Sequence, residues 1–462
     1  MFHTTSVLYE QLYKSFRNVQ PIETTTLMSI TTHIDPVDPL AFHQAGRSHQ
    51  GERFYWSNHD RTLTLVGVGQ AVSVDSEQEG FQVTEESWRK LLQAAAVDNP
   101  YSVSGTGPVA FGGFAFDPLK SPSATWGDFP NSSMMVPTFL LTKYKGEYYI
   151  TINTIVEPGT SVEFKLESLA ETCSELLEHA LAPEATPYLV QQEEVAPEEW
   201  KHIVQKATEE IKQGTLGKVV LARELIATFS NDLHVTSLLS ILEKQQHQSY
   251  IFAFERGESC FVGATPERLV KVEDRQLLST CLAGTIPRGG TKEEDERLGT
   301  SLLTDEKNLQ EHDFVVQMIR EAIEACSDEV KVPTEPVLYP LRNLQHLYTP
   351  VQGKLRENYS ILDVVKRLHP TPALGGYPVK ESLEFIRNEE PFHRGWYASP
   401  VGWFDARDNG EFAVAIRSAL IHRNQATLFA GCGVVEESQP EVEYEETAIK
   451  FLPMLNALGG YL

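Results

Sequence analysis

Between about residues 25 and 155 the chain is a succession of short runs rich in β-branched and aromatic residues, each cut off by Gly, Pro or Asp. RFYWS (53–57), TLTLVGVG (62–69), VAFGGFAFDP (109–118) and EYYITINTIV (147–156) are examples. Residues of this kind fill a pleated, half-buried surface, so the runs predict strands of an antiparallel sheet. Gly112-Gly113 inside one of them predicts a bulge or a close backbone approach.

Helical periodicity frames this β-rich stretch. Residues 1–20 predict a short helix through Val7, Leu8, Leu12, Tyr13 and Phe16, and residues 162–181 an amphipathic helix through Leu166, Leu169, Ala170, Cys173, Leu176 and Leu177. The Pro- and Glu-rich segment 182–197 is the best boundary, dividing an N-terminal β-rich region (1–190) from a motif-dense region (191–462). Beyond it, Pro197 suits the first turn of a helix carrying Trp200, Ile203, Val204, Ala207 and Ile211. The fold class is mixed α/β (α+β), with antiparallel sheets flanked by helices.

Charge and cysteine usage narrow the partners. A formal net charge of −25 argues against nucleic acid or an anionic membrane surface. An anionic small substrate needs a locally positive site built from Lys, Arg or a metal ion. No apolar run approaches the roughly 18 residues of a membrane span. The opening MFHTTSVLYEQLYKSF lacks a basic region followed by an apolar block, so no secretory signal is expected. The five cysteines are scattered and odd in number, which fits a reducing, cytoplasmic setting.

Several segments carry groups with chemical potential. GKVVLARELIATF (217–229) predicts a strand headed by Lys218, which ordinarily snorkels to water but, if desolvated, becomes a base. FVGATPERLV (261–270) predicts a strand and a turn ending in Glu267-Arg268, in which a charged pair is ordinarily surface. CLAGTIPRGG (281–290) offers the backbone amides of Gly284 and Thr285 to a carboxylate. Helix 305–326 carries Glu311 on the flank of an apolar stripe, where a charge is usually a rim residue. His346 lies in an expected strand, where a satisfied core or rim histidine is the commoner case. LHPTPALGGYP (368–378) cannot be a regular element, because its three prolines fix φ and remove amide donors. RGWYASPVGWFD (394–405) followed by FAVAIRSALI (412–421) predicts a hairpin. Its Arg417, set among apolar neighbours, needs a partner such as a bound carboxylate.

The last of these segments is GCGVVEESQPEVEYEETAIK (431–450), read as a glycine turn followed by a helix starting near Pro440. Glu443, Glu446 and Lys450 share one face of that helix. They could serve a cation and an anion side by side, or be a solvated intrahelical Glu–Lys pair, which is the commoner use of such spacing.

Taken in order, KVVLAR, ATPERL, LAGTIPRG, EKNLQEH, QHLYTPVQGKL, LHPTPALGGYP, WYASPVGW, AIRSA, GCGVV and PEVEYEETAIK resemble the chorismate-utilising enzymes over roughly residues 195–462. The resemblance implies that family's fold: two lobes of antiparallel sheets packed face to face, with helices outside. Lys218 and the small Ala373 resemble the isochorismate synthase branch, and the GGFAFDP strand the menaquinone-pathway type within it. Alternatives are a salicylate synthase, a siderophore-pathway isochorismate synthase, or a catalytically silent chorismate-binding subunit.

The resemblance also implies the reaction and its residues. Water adds at C2 of chorismate and the C4 hydroxyl leaves, with Lys218 as general base and Glu267 as general acid. Glu311 and Glu446 match the ligands of a Mg²⁺ ion, with Glu443 acting through a water. Arg417, Tyr397, Gly431 and Gly433 would hold the enolpyruvyl carboxylate; Gly284, Thr285 and Lys450 would sit near the ring carboxylate, and His346 near the ring. Water as nucleophile implies no obligatory glutamine amidotransferase subunit. Thr280-Cys281 depart from relatives that have an acidic residue before LAGT.

Overall fold

Two long strands, β3 (Leu63–Ser76) and β6 (Ser132–Tyr144), pair with each other and serve both layers of the fold. The protein is seen here as a computed structural model that describes residues 9–15, 24–78, 80–121, 123–159, 162–340 and 344–460. In the first layer β6 pairs with β7 (Glu147–Val156) and β7 with β1 (Thr26–Ile34), along which β4 (Ala96–Asp98) runs parallel. On its other side β3 pairs with β2 (Arg53–Ser57), and the ladder then passes to later parts of the chain. It runs through β10 (Tyr250–Arg256), β11 (Ser259–Thr265), β20 (Ser418–His422), β21 (Gln425–Val434) and β9 (Lys218–Phe229). Two short strands, β8 (Leu189–Glu194) and β17 (Gly376–Tyr377), line the far edge of β9.

The second layer starts from the first residues of β6, which pair with β5 (Val109–Phe114). It continues through β18 (Pro400–Asp405), β19 (Gly410–Val414), β12 (Arg268–Glu273), β13 (Gln276–Pro287) and β16 (Leu344–Leu355). The strands β14 (Ser327–Lys331) and β15 (Val337–Pro340) pair with β16. Residues before 190 therefore hydrogen-bond as strands to residues after 191 at β2–β10 and at β5–β18.

Aromatic side chains join the layers. Phe54 of β2 stacks on Phe111 of β5 with ring centroids 4.4 Å apart, and Trp56, Phe254, Phe261 and Trp396 complete a buried cluster. A second cluster packs helices against the outer side of the first layer. It joins Leu166, Ala170, Cys173 and Leu176 of the Val162–Glu178 helix to Leu239 and Leu242, and to Phe451 and Leu455 of the Pro440–Ala457 helix. The mixed α/β class and antiparallel layers agree with expectation. Among the described residues, no helix is long and apolar enough to cross a membrane.

RFYWS, EYYITINTIV and the Pro197–Lys212 helix fall where periodicity places them. Gly112 and Gly113 mark close approach rather than a bulge, since a methyl group on Gly112 would lie 1.8 Å from the Ser133 carbonyl oxygen. The segment 182–197 is not only a connector, because it contains β8; that strand's polar residues alternate with nothing apolar and most are exposed. FAVAIRSALI is not one strand. It breaks between β19 and β20, where Arg417 adopts a left-handed φ of 52°. Of the helix expected over 1–20, residues 9–15 are helical and the remainder lies outside the described residues.

Candidate active site

Lys218 opens β9 beside the end of β21, where the sequence predicted a glycine turn. The structure corrects that expectation: Gly431 and Gly433 belong to the strand, and the turn follows Val434. A methyl group on Gly433 would lie 2.8 Å from Lys218 Cε and 3.4 Å from Nζ, so a side chain there would push the end of the lysine aside. The Lys218 side chain is 22% exposed and its Nζ lies 2.5 Å from Glu311 Oε1. It is therefore not the sealed, lone amine that desolvation alone would require.

Glu311 is presented by the Glu306–Glu324 helix, whose N-terminus is capped by Asp305 accepting from the Asn308 amide. Val315, Val316, Ile319 and Ile323 bury the helix. His312, the neighbour of Glu311, faces inward and bonds Thr349 Oγ1 at 2.7 Å. One turn beyond Glu311, Phe314 meets Tyr377 edge to face at 4.6 Å, and Tyr377 pairs with Lys218 in the β17–β9 register. No sequence signal pointed to this aromatic contact, which joins a helix to an irregular segment.

A second group gathers around Arg417. Its Nη1 donates to the Lys450 carbonyl at 3.2 Å, and Lys450 Nζ donates to the Gly431 carbonyl at 2.8 Å and to Glu446 Oε1 at 2.6 Å. Burial works against the Arg417 charge, while Tyr397, Glu446 and Glu267 support it, so these four groups share one electrostatic neighbourhood. Tyr397 stacks on Phe429 at 5.3 Å, and burial raises its phenol pKa, keeping it a donor. Its hydroxyl would be 3.3 Å from a methyl group on Gly431.

His346 faces Thr285 across the β13–β16 ladder, with Nδ1 and Oγ1 2.8 Å apart. Gly284, at φ 76°, occupies the register shift between Ala283 and Thr285 that produces this pairing. Burial, aided by the charges of Arg417 and Lys450, lowers the His346 pKa to about 4, so the ring is neutral at physiological pH.

Glu267 occupies the turn between β11 and β12, fixed by its amide to Thr265 Oγ1 at 3.2 Å and by the Val414 amide to its carbonyl at 3.0 Å. Burial raises its carboxyl pKa to about 7, partly offset by the positive charge of Arg417. Glu267 and Ala373 line one cleft together with Leu282 and Thr371. Leu368, Thr371 and Ala373 of the LHPTPALGGYP segment line this cleft, and the segment is irregular as its prolines predicted, apart from Leu368 at the end of a helix and the two residues of β17.

Glu443, Glu446 and Lys450 lie on the Pro440–Ala457 helix, and the Glu446–Lys450 contact is the intrahelical pair of the plainer reading. Glu443 is buried beside Cys432, whose thiol pKa is raised by burial and further by the Glu443 charge. Among the described residues, no three His, Cys, Asp or Glu side chains are gathered as at a metal centre, and Glu311 and Glu446 each engage a lysine. Their chemistry nonetheless suits a hard cation, because every candidate donor is a carboxylate oxygen. Lys218, Arg417 and Lys450 supply positive charge locally, against a net charge of −25 for the whole chain.

Residues 14–459 match the family described as chorismate binding enzyme. The chain is 42% identical to "Isochorismate synthase MenF" of Bacillus subtilis, over 98% of this chain and 97% of that protein. It is 36% identical to the "Salicylate biosynthesis isochorismate synthase" of Pseudomonas aeruginosa, over 97% of this chain and 94% of that protein. Among solved structures, the menaquinone-specific isochorismate synthase MenF of Escherichia coli superposes with a TM-score of 0.81 at 24% identity. That match covers 99% of this chain and all of the other, and it bears on the fold.

Proposed function

The chain belongs to the chorismate-binding enzymes, and from that premise we propose that it is an isochorismate synthase, interconverting chorismate and isochorismate. The observation that carries the reading is the near full-length likeness to a named isochorismate synthase at 42% identity. It is supported by an acid tuned to hold its proton near neutrality, Glu267, in the cleft that Ala373 borders.

The residues divide the work. Lys218 removes a proton from water as its oxygen bonds to C2. The C1–C2 π pair moves to C1–C6, the C5–C6 pair moves to C4–C5, and the C4–O bond breaks. Glu267 gives its proton to the departing oxygen, which leaves as water. Arg417 and Tyr397 hold the enolpyruvyl carboxylate, and neutral His346 with Thr285 borders the ring, a division supported by the shared electrostatic neighbourhood of Arg417 and Tyr397 and by the Thr285–His346 contact. Mg²⁺ would be held by Glu311 and Glu446, with Glu443 behind them through a water, and would bind the ring carboxylate and draw electron density from the ring. Those ligands must then exchange their lysine partners for the ion.

The same reading has the enzyme act in the cytoplasm at the entry to menaquinone synthesis, with water as nucleophile and no amidotransferase subunit. Incubating it with chorismate and Mg²⁺ and resolving the products by chromatography tests the proposal. Isochorismate is expected; salicylate with pyruvate as main products, or binding without turnover, would overturn it.

A further inference from the structure

Thr371 is the buried hydroxyl of the Glu267 cleft that the steps above leave without a task. Its side chain is 7% exposed, and Oγ1 has no hydrogen-bond partner among the described residues. Its carbonyl, in contrast, accepts from the Leu374 and Gly375 amides at 3.0 and 2.9 Å. A buried hydroxyl without a partner in the protein is free to pair with a polar group that enters the cleft.

The other polar side chains of the cleft are occupied. Ser279 donates to the Leu269 carbonyl at 2.7 Å, Thr280 to the Arg268 carbonyl at 3.4 Å, and Arg268 to Glu411 at 3.0 Å. Cys281 lies 3.6 Å from His312 Nδ1. Among the described residues lining the cleft, the Glu267 carboxyl and the Thr371 hydroxyl are the polar side-chain groups without a hydrogen-bond partner in the protein. The free space they border is about 10 Å³, room for about one water-sized group.

We propose that Thr371 is a catalytic residue that binds the leaving C4 oxygen jointly with Glu267. This rests on the reading of the protein as an isochorismate synthase. Thr371 Oγ1 accepts the hydrogen of the substrate's C4 hydroxyl, which turns a lone pair of that oxygen toward the Glu267 proton. As the C4–O bond breaks, its electron pair stays on oxygen, Glu267 supplies the second proton, and the water formed remains hydrogen-bonded to Oγ1. Size follows as well: one hydroxyl fits, and a larger substituent at C4 does not.

Steady-state turnover of chorismate by the wild type, Thr371→Val and Thr371→Ser tests this, with melting temperature and chorismate affinity measured alongside. Thr371→Val should lose roughly tenfold to a hundredfold in kcat, the loss of one or two hydrogen-bond energies, with KM and melting temperature little changed. Thr371→Ser should return to within about threefold of wild type. In a Glu267→Gln background, Thr371→Val should add little further loss, because the two groups act on one oxygen. If the valine variant does not fold, Thr371→Ala is read in its place. Wild-type turnover by Thr371→Val, or equal loss in the serine and valine variants, overturns the inference alone. A wild-type protein that makes no isochorismate overturns the underlying reading and the inference with it.

Discussion

Gly433 and Lys218 occupy adjacent strands so closely that a methyl group on the glycine would stand 2.8 Å from the lysine Cε. Neither strand can yield, since β9 and β21 are paired along ten residues, Gln425–Val434. Gly433→Ala should therefore displace the lysine and spare the fold. The expected outcome is a drop in kcat/KM of at least about tenfold, since small misplacement of a reacting group is costly, with an unchanged melting temperature. Unimpaired turnover in the alanine variant would remove the steric argument.

Lys218→Ala tests the base directly. Proton transfer by a positioned group contributes about 10²- to 10⁴-fold, and a loss of that size is expected. Chorismate binding, measured by calorimetry, should survive. Isochorismate formation at near the wild-type rate would mean that Lys218 is not the base.

Glu267 gives a pH signature. Its carboxyl pKa is raised from 4.5 to about 7, so the folded protein keeps a proton that the unfolded chain releases. The contribution to stability is full below pH 4.5 and is lost as pH rises through about 7. Over that window the wild type should lose up to about 3 kcal/mol relative to Glu267→Gln, which has no such titration. kcat/KM for chorismate should likewise fall as pH rises through about 7, as the acid form disappears. Parallel denaturation curves for the two proteins at pH 4.5 and pH 8 would contradict the assignment.

Metal dependence is read best by binding. Calorimetric titration with Mg²⁺ should show an affinity that Glu311→Gln and Glu446→Gln each weaken by at least about tenfold, because Mg²⁺ depends on charged oxygen ligands. Chelation should abolish turnover, and added Mg²⁺ should restore it. Equal Mg²⁺ affinity in wild type and both variants would exclude these carboxylates as ligands.

A buried ion pair outside the residues assigned to chemistry offers a test of stability. Arg53 of β2 and Glu255 of β10 form a buried ion pair at 2.6 Å, with side chains 6% and 3% exposed. Removing one partner leaves an uncompensated charge, which costs about 3–5 kcal/mol. Glu255→Ala should lower the melting temperature sharply and leave kcat at permissive temperature near wild type.

Much of this was legible in the sequence, for identifiable reasons. Strands such as Glu147–Val156 and helices such as Val162–Glu178 bury one face, and the periodicity of that face is written in the residues. β8 was missed because an edge strand with most residues exposed carries no apolar alternation. The break at Arg417 was missed because a left-handed φ is set by tertiary contacts and leaves no mark in an apolar run. For the site, the motifs pointed to the residues that meet around Arg417, but not to their partners. The pairing of Lys218 with Glu311 spans ninety-three positions, and only the fold brings the two together.

The passage of β6 from one layer to the other has a consequence for how such a protein can be divided. All the residues assigned to chemistry lie after position 215, yet β10 and β18 are each paired to a strand from the first 115 residues. Cut away from those strands, the later part would present two raw edges, open to any passing backbone. The reactive half is thus no transferable cassette. It should melt in one transition with the part that precedes it, and a gene fragment encoding it alone should yield aggregate rather than enzyme.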